Sequence, residues 1–374
     1  MRPRATSIRR CCEWTVFGLV PAVVAVSYSA SFLRRGVGEP DFGAFWLASR
    51  AALHGHSPYP PLASLPHAAS IGFDPFVYPP VVAFLLAPLA ALPFVAAKLL
   101  FLAVNLGAVV LALRLLGVRD WRCYGIALVT PAVVESVASG TISILLLLGV
   151  AAAWRYRDRA VAVALLVASA VTAKLFLWPL WFWLVRTGRR RAAAAAVVAS
   201  FAALAGSWAL IGFAGLRDYP RLLARLTELV GPHSYSTYAL ERVLGVGAAA
   251  QATYAVGVIA LVLALRFVAD ERRSFVALLG VALLATPILW PHYLVLLFVP
   301  VALASPTLTR VWFVPLLLWV NPAAWNSGSV GPIVAELVVT LAALATVVQT
   351  PTEPPSAVVP RPTWSAASAA WRRT

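Results

Sequence analysis

Apolar residues fall along this chain in long uninterrupted blocks, not in the alternation of a half-buried strand. The first block runs from Thr15 to Leu33, and others recur as far as Val348. An α-helix rises roughly 1.5 Å per residue, so roughly 20 apolar residues cross a roughly 30 Å hydrocarbon core. Between the blocks sit short arginine clusters: Arg114/Arg119/Arg122, Arg155/Arg157/Arg159, Arg186/Arg189/Arg190/Arg191 and Arg266/Arg272/Arg273. Blocks and clusters together predict an all-α polytopic membrane protein, a bundle of about twelve transmembrane helices.

Placing every basic cluster in the cytoplasm orients the bundle. Residues 1–14 become a cytoplasmic N-terminus, and the first apolar block an uncleaved signal-anchor. Residues 123–154 form a hairpin turning outside near Gly140-Thr141. Residues 160–185 form a second, turning near Lys174, with about 13 residues per leg, too few for two full crossings. Broken or buried half-helices beside a watery cavity are expected there, and Pro179 fits them. Further crossings are expected at 192–213, 251–268, 275–290, 293–305, 310–325 and 330–348, which closes a transmembrane domain over 15–349. The Pro-, Ser- and Ala-rich 350–374 reads as a disordered cytoplasmic tail.

Two segments are left outside. The first outer loop, 34–93, ends in an apolar stretch broken by Pro79, Pro80, Pro88 and Pro93, which predicts an interfacial or re-entrant helix. The second, 214–250, holds Arg217, Asp218, Arg221, Arg225, Glu228, His233, Glu241 and Arg242. Its arginines, with Arg34, Arg35 and Arg50, break the charge rule. Binding an anionic headgroup is the simplest reason to keep them there.

Composition agrees with a membrane protein. Only 12% of the 374 residues are charged, against 61% hydrophobic, where a soluble domain carries about 25% charged. The net charge of +16 lies in loops and not on a folded basic face, which excludes a nucleic-acid partner. Three cysteines (Cys11, Cys12, Cys123) make neither a disulfide framework nor a spaced metal site. Cys11 and Cys12 are reduced thiols or acylation sites at the membrane edge.

The rare polar residues gather on the outer face: Glu39, Asp41, Asp74, Lys174, His233 and His292. Asp41 can accept a proton from a sugar hydroxyl or cap a helix Phe42 to Leu53. Lys174, between two apolar half-helices, lines a cavity or snorkels to the interface. His292, at a helix break, donates to a phosphate or sits at the interface. Trp46, Tyr59, Phe76, Tyr78, Trp290 and Tyr293 stack on sugars or form the aromatic belt. There is no phosphate loop, zinc-protease helix or nucleophile elbow. A transferase built this way needs an activated donor already in the bilayer, such as a lipid-phosphate sugar.

Several runs carry a resemblance. Asp41-Phe42-Gly43-Ala44-Phe45-Trp46-Leu47-Ala48-Ser49, with Leu53-His54-Gly55-His56-Ser57-Pro58-Tyr59, resembles the opening signature of the family 87 glycosyltransferases, polyprenyl-phosphate-mannose-dependent membrane enzymes with the GT-C fold. Phe76-Val77-Tyr78-Pro79-Pro80 and Ala87 to Phe94 resemble its second block. Ala173-Lys174-Leu175 resembles its lysine motif, and Thr286-Pro287 with Trp290-Pro291-His292-Tyr293 its late block. Gly140-Thr141 stands where the family often has Gly-Gln, and His233-Ser234-Tyr235-Ser236 where an Asn-Gln-Ser type motif is common. Both departures are expected at the outer loops.

The resemblance implies a GT-C bundle with outer juxtamembrane helices in a bacterial plasma membrane, both termini cytoplasmic and the active site extracytoplasmic. It implies an inverting mannosyltransferase using a polyprenyl-phosphate sugar and a glycolipid or lipid-linked glycan acceptor. Asp41 would be the catalytic base. Lys174 and His292 would serve the donor phosphate, with Arg50, Tyr78 and Tyr293 also at the substrate. No cofactor or metal is required, although Glu39-Pro40-Asp41 leaves room for a divalent cation. The competing expectation is a transporter or flippase of a lipid-linked saccharide, using the same broken helices to bind.

Overall fold

The computed structural model describes residues 3–37, 41–65, 75–323 and 325–348. The expectations placed on Glu39, Asp74 and the tail 350–374 lie outside the described residues. Among these residues every regular element is helical.

The chain opens with α1 (Pro3–Trp14), a π-helical turn at Thr15–Leu19 and α2 (Val20–Arg34), running without a break. Next come α3 (Phe42–Leu53), the short α4 (Pro80–Leu85) and α5 (Ala87–Ala90), and the long α6 (Phe94–Leu115). The expected interfacial stretch before Pro93 is therefore two short helices, each started by a proline in its first turn. The first hairpin is α7 (Trp121–Val129), α8 (Pro131–Ser139) and α9 (Ser143–Arg155). Pro131 splits its first leg, and Gly140 turns it with φ 71.

The second hairpin is α10 (Ala160–Ala173), a 3-10 turn at Leu175–Leu177 and α11 (Pro179–Arg186), with extended backbone at Lys174 between them. Then follow α12 (Arg190–Leu210), α13 (Tyr219–Val230), α14 (Thr237–Val243), α15 (Ala249–Phe267) and α16 (Glu271–Leu284). A 3-10 segment Pro291–Leu297 leads into α17 (Phe298–Ala304). A second, Arg310–Val320, kept from α-geometry by Pro315, precedes α18 (Val330–Ala345).

Among the described residues, four helical stretches are long and apolar enough to cross a membrane: Ile8–Arg34, Phe94–Leu115, Arg190–Leu210 and Ala249–Phe267. The other expected crossings are shorter helices or pieces, as expected for 160–185, so of the expected count of about twelve, four are full-length apolar helices among the described residues. Prolines at 131, 179, 291 and 315 account for several of the breaks. The long helices leave apolar faces exposed, among them Val23 and Val26, Leu99 and Val104, Val198 and Phe201, Val258 and Val262. Lipid chains can cover such faces; water would be costly there.

The arginine-bearing loops are tied to one another. Arg189 bridges Asp158 at 2.8 Å and Glu271 at 2.7 Å, and Arg157 reaches the same Glu271 carboxylate at 3.4 Å. Asp120 caps α7, accepting from the Arg122 amide at 3.1 Å and from its guanidinium at 2.8 Å. That guanidinium holds the Asp120 carboxyl below the ordinary carboxylate range. The carboxylate oxygen that accepts from the guanidinium at 2.8 Å also takes the Leu308 amide, joining this loop to the one that precedes Arg310.

Burial divides into two cores. The larger is built by α7 to α11, α16 and the 291–302 segment; the smaller by α3, α4, the start of α6 and α13. Ala173, the residue before Lys174, packs against both. The seam between the cores is where the polar side chains meet.

Candidate functional site

Lys174 ends α10 in extended conformation (φ −143, ψ 104) and is 9% exposed. Extended backbone at a helix break directs the side chain sideways, off both half-helices. Its ammonium donates to the Tyr293 hydroxyl at 2.5 Å, and stands 4.1 Å from the Tyr78 ring centre and 4.3 Å from that of Tyr293. A buried cation needs such contacts, because ring faces and a phenol replace only part of its lost hydration. Snorkelling to the interface does not describe this lysine.

Each partner is held from elsewhere. Tyr78 follows a segment fixed by two phenols: Tyr59 donates to the Tyr78 carbonyl at 2.8 Å and Tyr219 to the Val77 carbonyl at 3.0 Å. Tyr59 also stacks on Trp208, with ring centres 5.4 Å apart. Tyr293 stacks on Phe176 and meets the His292 ring edge-on at 4.7 Å. His292 is buried, its carbonyl accepting from Ser136 at 3.3 Å, and it feels the charge of Lys174. An interfacial histidine is thereby corrected to one inside the bundle.

Asp41 stands at the N-cap position of α3, its carbonyl taking the Phe45 amide at 2.9 Å. Helix α3 runs over the residues expected from the sequence, but the Asp41 side chain makes no capping hydrogen bond. The carboxylate is half-buried and acts coulombically on Lys174. The backbone at Asp41 has φ 48 and ψ −71, a combination L-residues rarely adopt and one that costs about 1–3 kcal/mol. Such strain persists where the surroundings hold it. The next residue, Phe42, is 2% exposed, and a Cβ on Gly140 would come within 2.7 Å of its own Cβ. A Cβ on Gly43 would come within 2.0 Å of the Val37 carbonyl oxygen.

Lys174, Tyr78 and Tyr293 open onto a cavity of about 1010 Å³. Helices α13, α14 and α15 supply its far wall, including Glu228, Arg242, Gln251 and Thr253, while Thr286 and Pro287 line it near Tyr293. Asp41 and His292 do not line the cavity; they adjoin it through Lys174 and Tyr293. Arg50 stands apart, exposed, with its guanidinium 4.6 Å from the Trp46 ring centre in a separate depression beside Leu92 and Pro93.

Two sets of residues make contacts that the sequence does not signal. The run His233-Ser234-Tyr235-Ser236 was expected at an outer loop, yet Ser234, Tyr235 and Ser236 are buried. They clamp the segment that carries His292: the Tyr235 amide donates to the Leu289 carbonyl, Ser236 to that of Pro287 and Thr237 to that of Leu284. Gly140 and Thr141 are likewise enclosed, not loop-facing. The second set is Tyr59 and Tyr219, whose carbonyl partners lie 19 and 142 residues away. No local spacing signals such pairs.

The sequence profile of glycosyltransferase family 87 matches residues 76–291, more than half of the chain. The span includes Tyr78 and Lys174, begins after Asp41 and Arg50, and stops one residue short of His292. Comparison with curated proteins and with solved structures gives no match.

Proposed function

The chain belongs to glycosyltransferase family 87, and from that membership and the Asp41–Lys174 pair we propose that it is a membrane-embedded mannosyltransferase with a polyprenyl-phosphate sugar as donor. The acceptor is a glycolipid or lipid-linked glycan, and the site opens to the extracytoplasmic face of a bacterial plasma membrane within a GT-C architecture. The observation that carries the reading is a buried ammonium on a 1010 Å³ cavity with a carboxylate in coulombic reach.

The chemistry follows from those two charges. Asp41 takes the proton of an acceptor hydroxyl, whose oxygen attacks the anomeric carbon from the face opposite the phosphate. The carbon–oxygen bond to phosphate breaks, the electron pair leaves on the phosphate, and configuration inverts. Lys174 neutralises that phosphate where water is excluded, so the charge it meets is worth more than in bulk. Polyprenyl phosphate is a stable anion and needs no proton to depart. Tyr78 and Tyr293 present ring faces to the sugar, and His292 holds Tyr293 edge-on. Arg50, outside this group, suits a headgroup contact at the rim.

Asp41→Asn is the test. Asn tolerates positive φ, and no side-chain cap is lost, so the variant keeps its fold. Membranes bearing wild type transfer labelled mannose from polyprenyl-phosphate mannose to a lipid-extract pool. The variant loses about 10²–10⁴-fold, the usual share of a general base. Equal transfer by both would move the base elsewhere. No transfer by folded wild type would remove this donor.

A further inference from the structure

Lys98 is a second buried cation, and the chemistry above does not use it. It lies early in α6 with 3% exposure. A positive charge near a helix N-terminus opposes the helix dipole, and burial strips its water. Something must offset both costs.

The ammonium donates to the Leu33 carbonyl at 3.0 Å and to the Arg35 carbonyl at 2.6 Å. It also stands 5.0 Å from the ring centre of Phe32 and 5.3 Å from that of Phe94. Leu33 belongs to the last turn of α2 and Arg35 is its C-cap, so Lys98 satisfies carbonyls that a helix end leaves without an intrahelical donor. A leucine could fill the same apolar space. What lysine adds is a fixed exit for the chain as it leaves α2.

That exit leads to the base. Asp41 follows Arg35 by six residues, and the Val37 carbonyl oxygen lies so close to Gly43 that a Cβ there would come within 2.0 Å of it. Both rings beneath the ammonium pack on Phe42, each at 5.7 Å. The same lysine therefore holds the end of α2, before Asp41, and the rings packed on Phe42, directly after it, where the Asp41 backbone is strained (φ 48).

We propose that Lys98 is a positioning residue, holding Asp41 at its reactive geometry by tying down the end of α2 and the Phe32–Phe42–Phe94 cluster. The inference rests on Asp41 as the base. Lys98 touches no substrate and leaves donor binding at Lys174 alone.

The experiment compares Lys98→Met, Lys98→Arg and Asp41→Asn in the full-length protein, with kcat, donor KM and thermal midpoint read for each. Lys98→Met lowers kcat about 100-fold, the scale of a small misplacement of a reacting group, and leaves donor KM unchanged. Lys98→Arg, whose guanidinium can donate to both carbonyls, restores most of kcat. If Lys98→Met fails to fold, the arginine variant and Lys98→Gln carry the same comparison.

A raised donor KM at unchanged kcat would place Lys98 at the donor and overturn the inference. So would an arginine variant that folds yet matches the methionine variant in kcat. A fully active Lys98→Met beside a dead Asp41→Asn would sink the positioning role alone. An active Asp41→Asn would sink the base itself.

Discussion

Lys174→Met removes the one buried charge on the cavity floor while keeping an unbranched apolar stem. The structural cost is small by compensation. The Tyr293 hydroxyl loses its 2.5 Å donor, worth about 1–3 kcal/mol if it finds no other partner, but the desolvated ammonium disappears with it. The functional cost is larger. Truncating one partner of a buried, hydrogen-bonded charge pair costs about 2–5 kcal/mol. At about 1.4 kcal/mol per tenfold, kcat/KM for the donor falls about 30- to 4000-fold. The part of that loss made in the ground state raises KM, and the part that grows as charge collects on the leaving phosphate lowers kcat. Acceptor KM stays where it was. Tyr293→Phe gives the graded control, since it keeps the ring 4.3 Å from the ammonium and deletes only the hydroxyl. Its loss should fall well short of that in the methionine variant. The assay is transfer in proteoliposomes with the mole fractions of donor and acceptor varied separately. A methionine variant with wild-type dependence on donor, or a change confined to the acceptor, would refute a phosphate role for Lys174.

Three further outcomes are expected. Gly140→Ala should lower both thermal midpoint and kcat, because φ 71 disfavours a side chain and the new Cβ would sit 2.5 Å from the Phe32 ring and 2.7 Å from Phe42. Strain and overpacking of that kind cost about 2–5 kcal/mol together, and a fully active, equally stable variant would detach Phe42 from the site. Arg190→Cys, exposed at the start of α12, should react with an impermeant thiol reagent only from the cytoplasm, in a background lacking the exposed Cys11 and Cys12; labelling from outside would invert the orientation. Glu336→Gln should leave transfer intact and stability equal or higher, since both carboxylate oxygens are buried without a hydrogen-bond partner among the described residues. Loss of transfer there would bring Glu336 into the function.

How far the sequence reaches is clearest at Lys174. Two apolar legs too short to cross, with Pro179 in the second, are local facts, and they foretold the helix break and made a cavity-lining lysine one of the two readings of Lys174. Gly140 was readable as a turn for the same reason. Lys98 was not, because a lone lysine early in a 22-residue apolar helix looks like any snorkelling residue. Its partners, the carbonyls of Leu33 and Arg35, lie 65 and 63 residues away. The same holds for Ser236, whose buried hydroxyl donates to the Pro287 carbonyl, 51 residues away, in the segment before His292. Arg50 failed in the opposite direction: assigning it to the outer side grouped it with the phosphate ligands, whereas α3 presents it to Trp46. Side of membrane is set by charge along the chain, but company is set by packing.

The competing function, carriage of a lipid-linked saccharide, would use the same cavity and needs a way to drive it. Proton coupling would call on acids inside the bundle, and Glu336 is buried and Glu135 half-buried. Both act electrostatically on Tyr235, whose hydroxyl donates to the Ala323 carbonyl at 2.6 Å. Glu135 is engaged by Ser139 at 2.7 Å. Neither lines the cavity that Lys174 lines. Alternating access also requires walls that part. Here the wall at Tyr78 is fastened by the hydroxyls of Tyr59 and Tyr219, and the segment before Tyr293 by Tyr235, Ser236 and Thr237. Opening would break these bonds in an apolar setting that offers no replacement partners. A transferase gains from that same rigidity, because donors and charges held in place stabilise a transition state without reorganising. Asp41 is the carboxylate that acts on Lys174, and it stands on a strained turn. Under the proposed mechanism that carboxylate takes a proton from a hydroxyl, a step that carriage does not need.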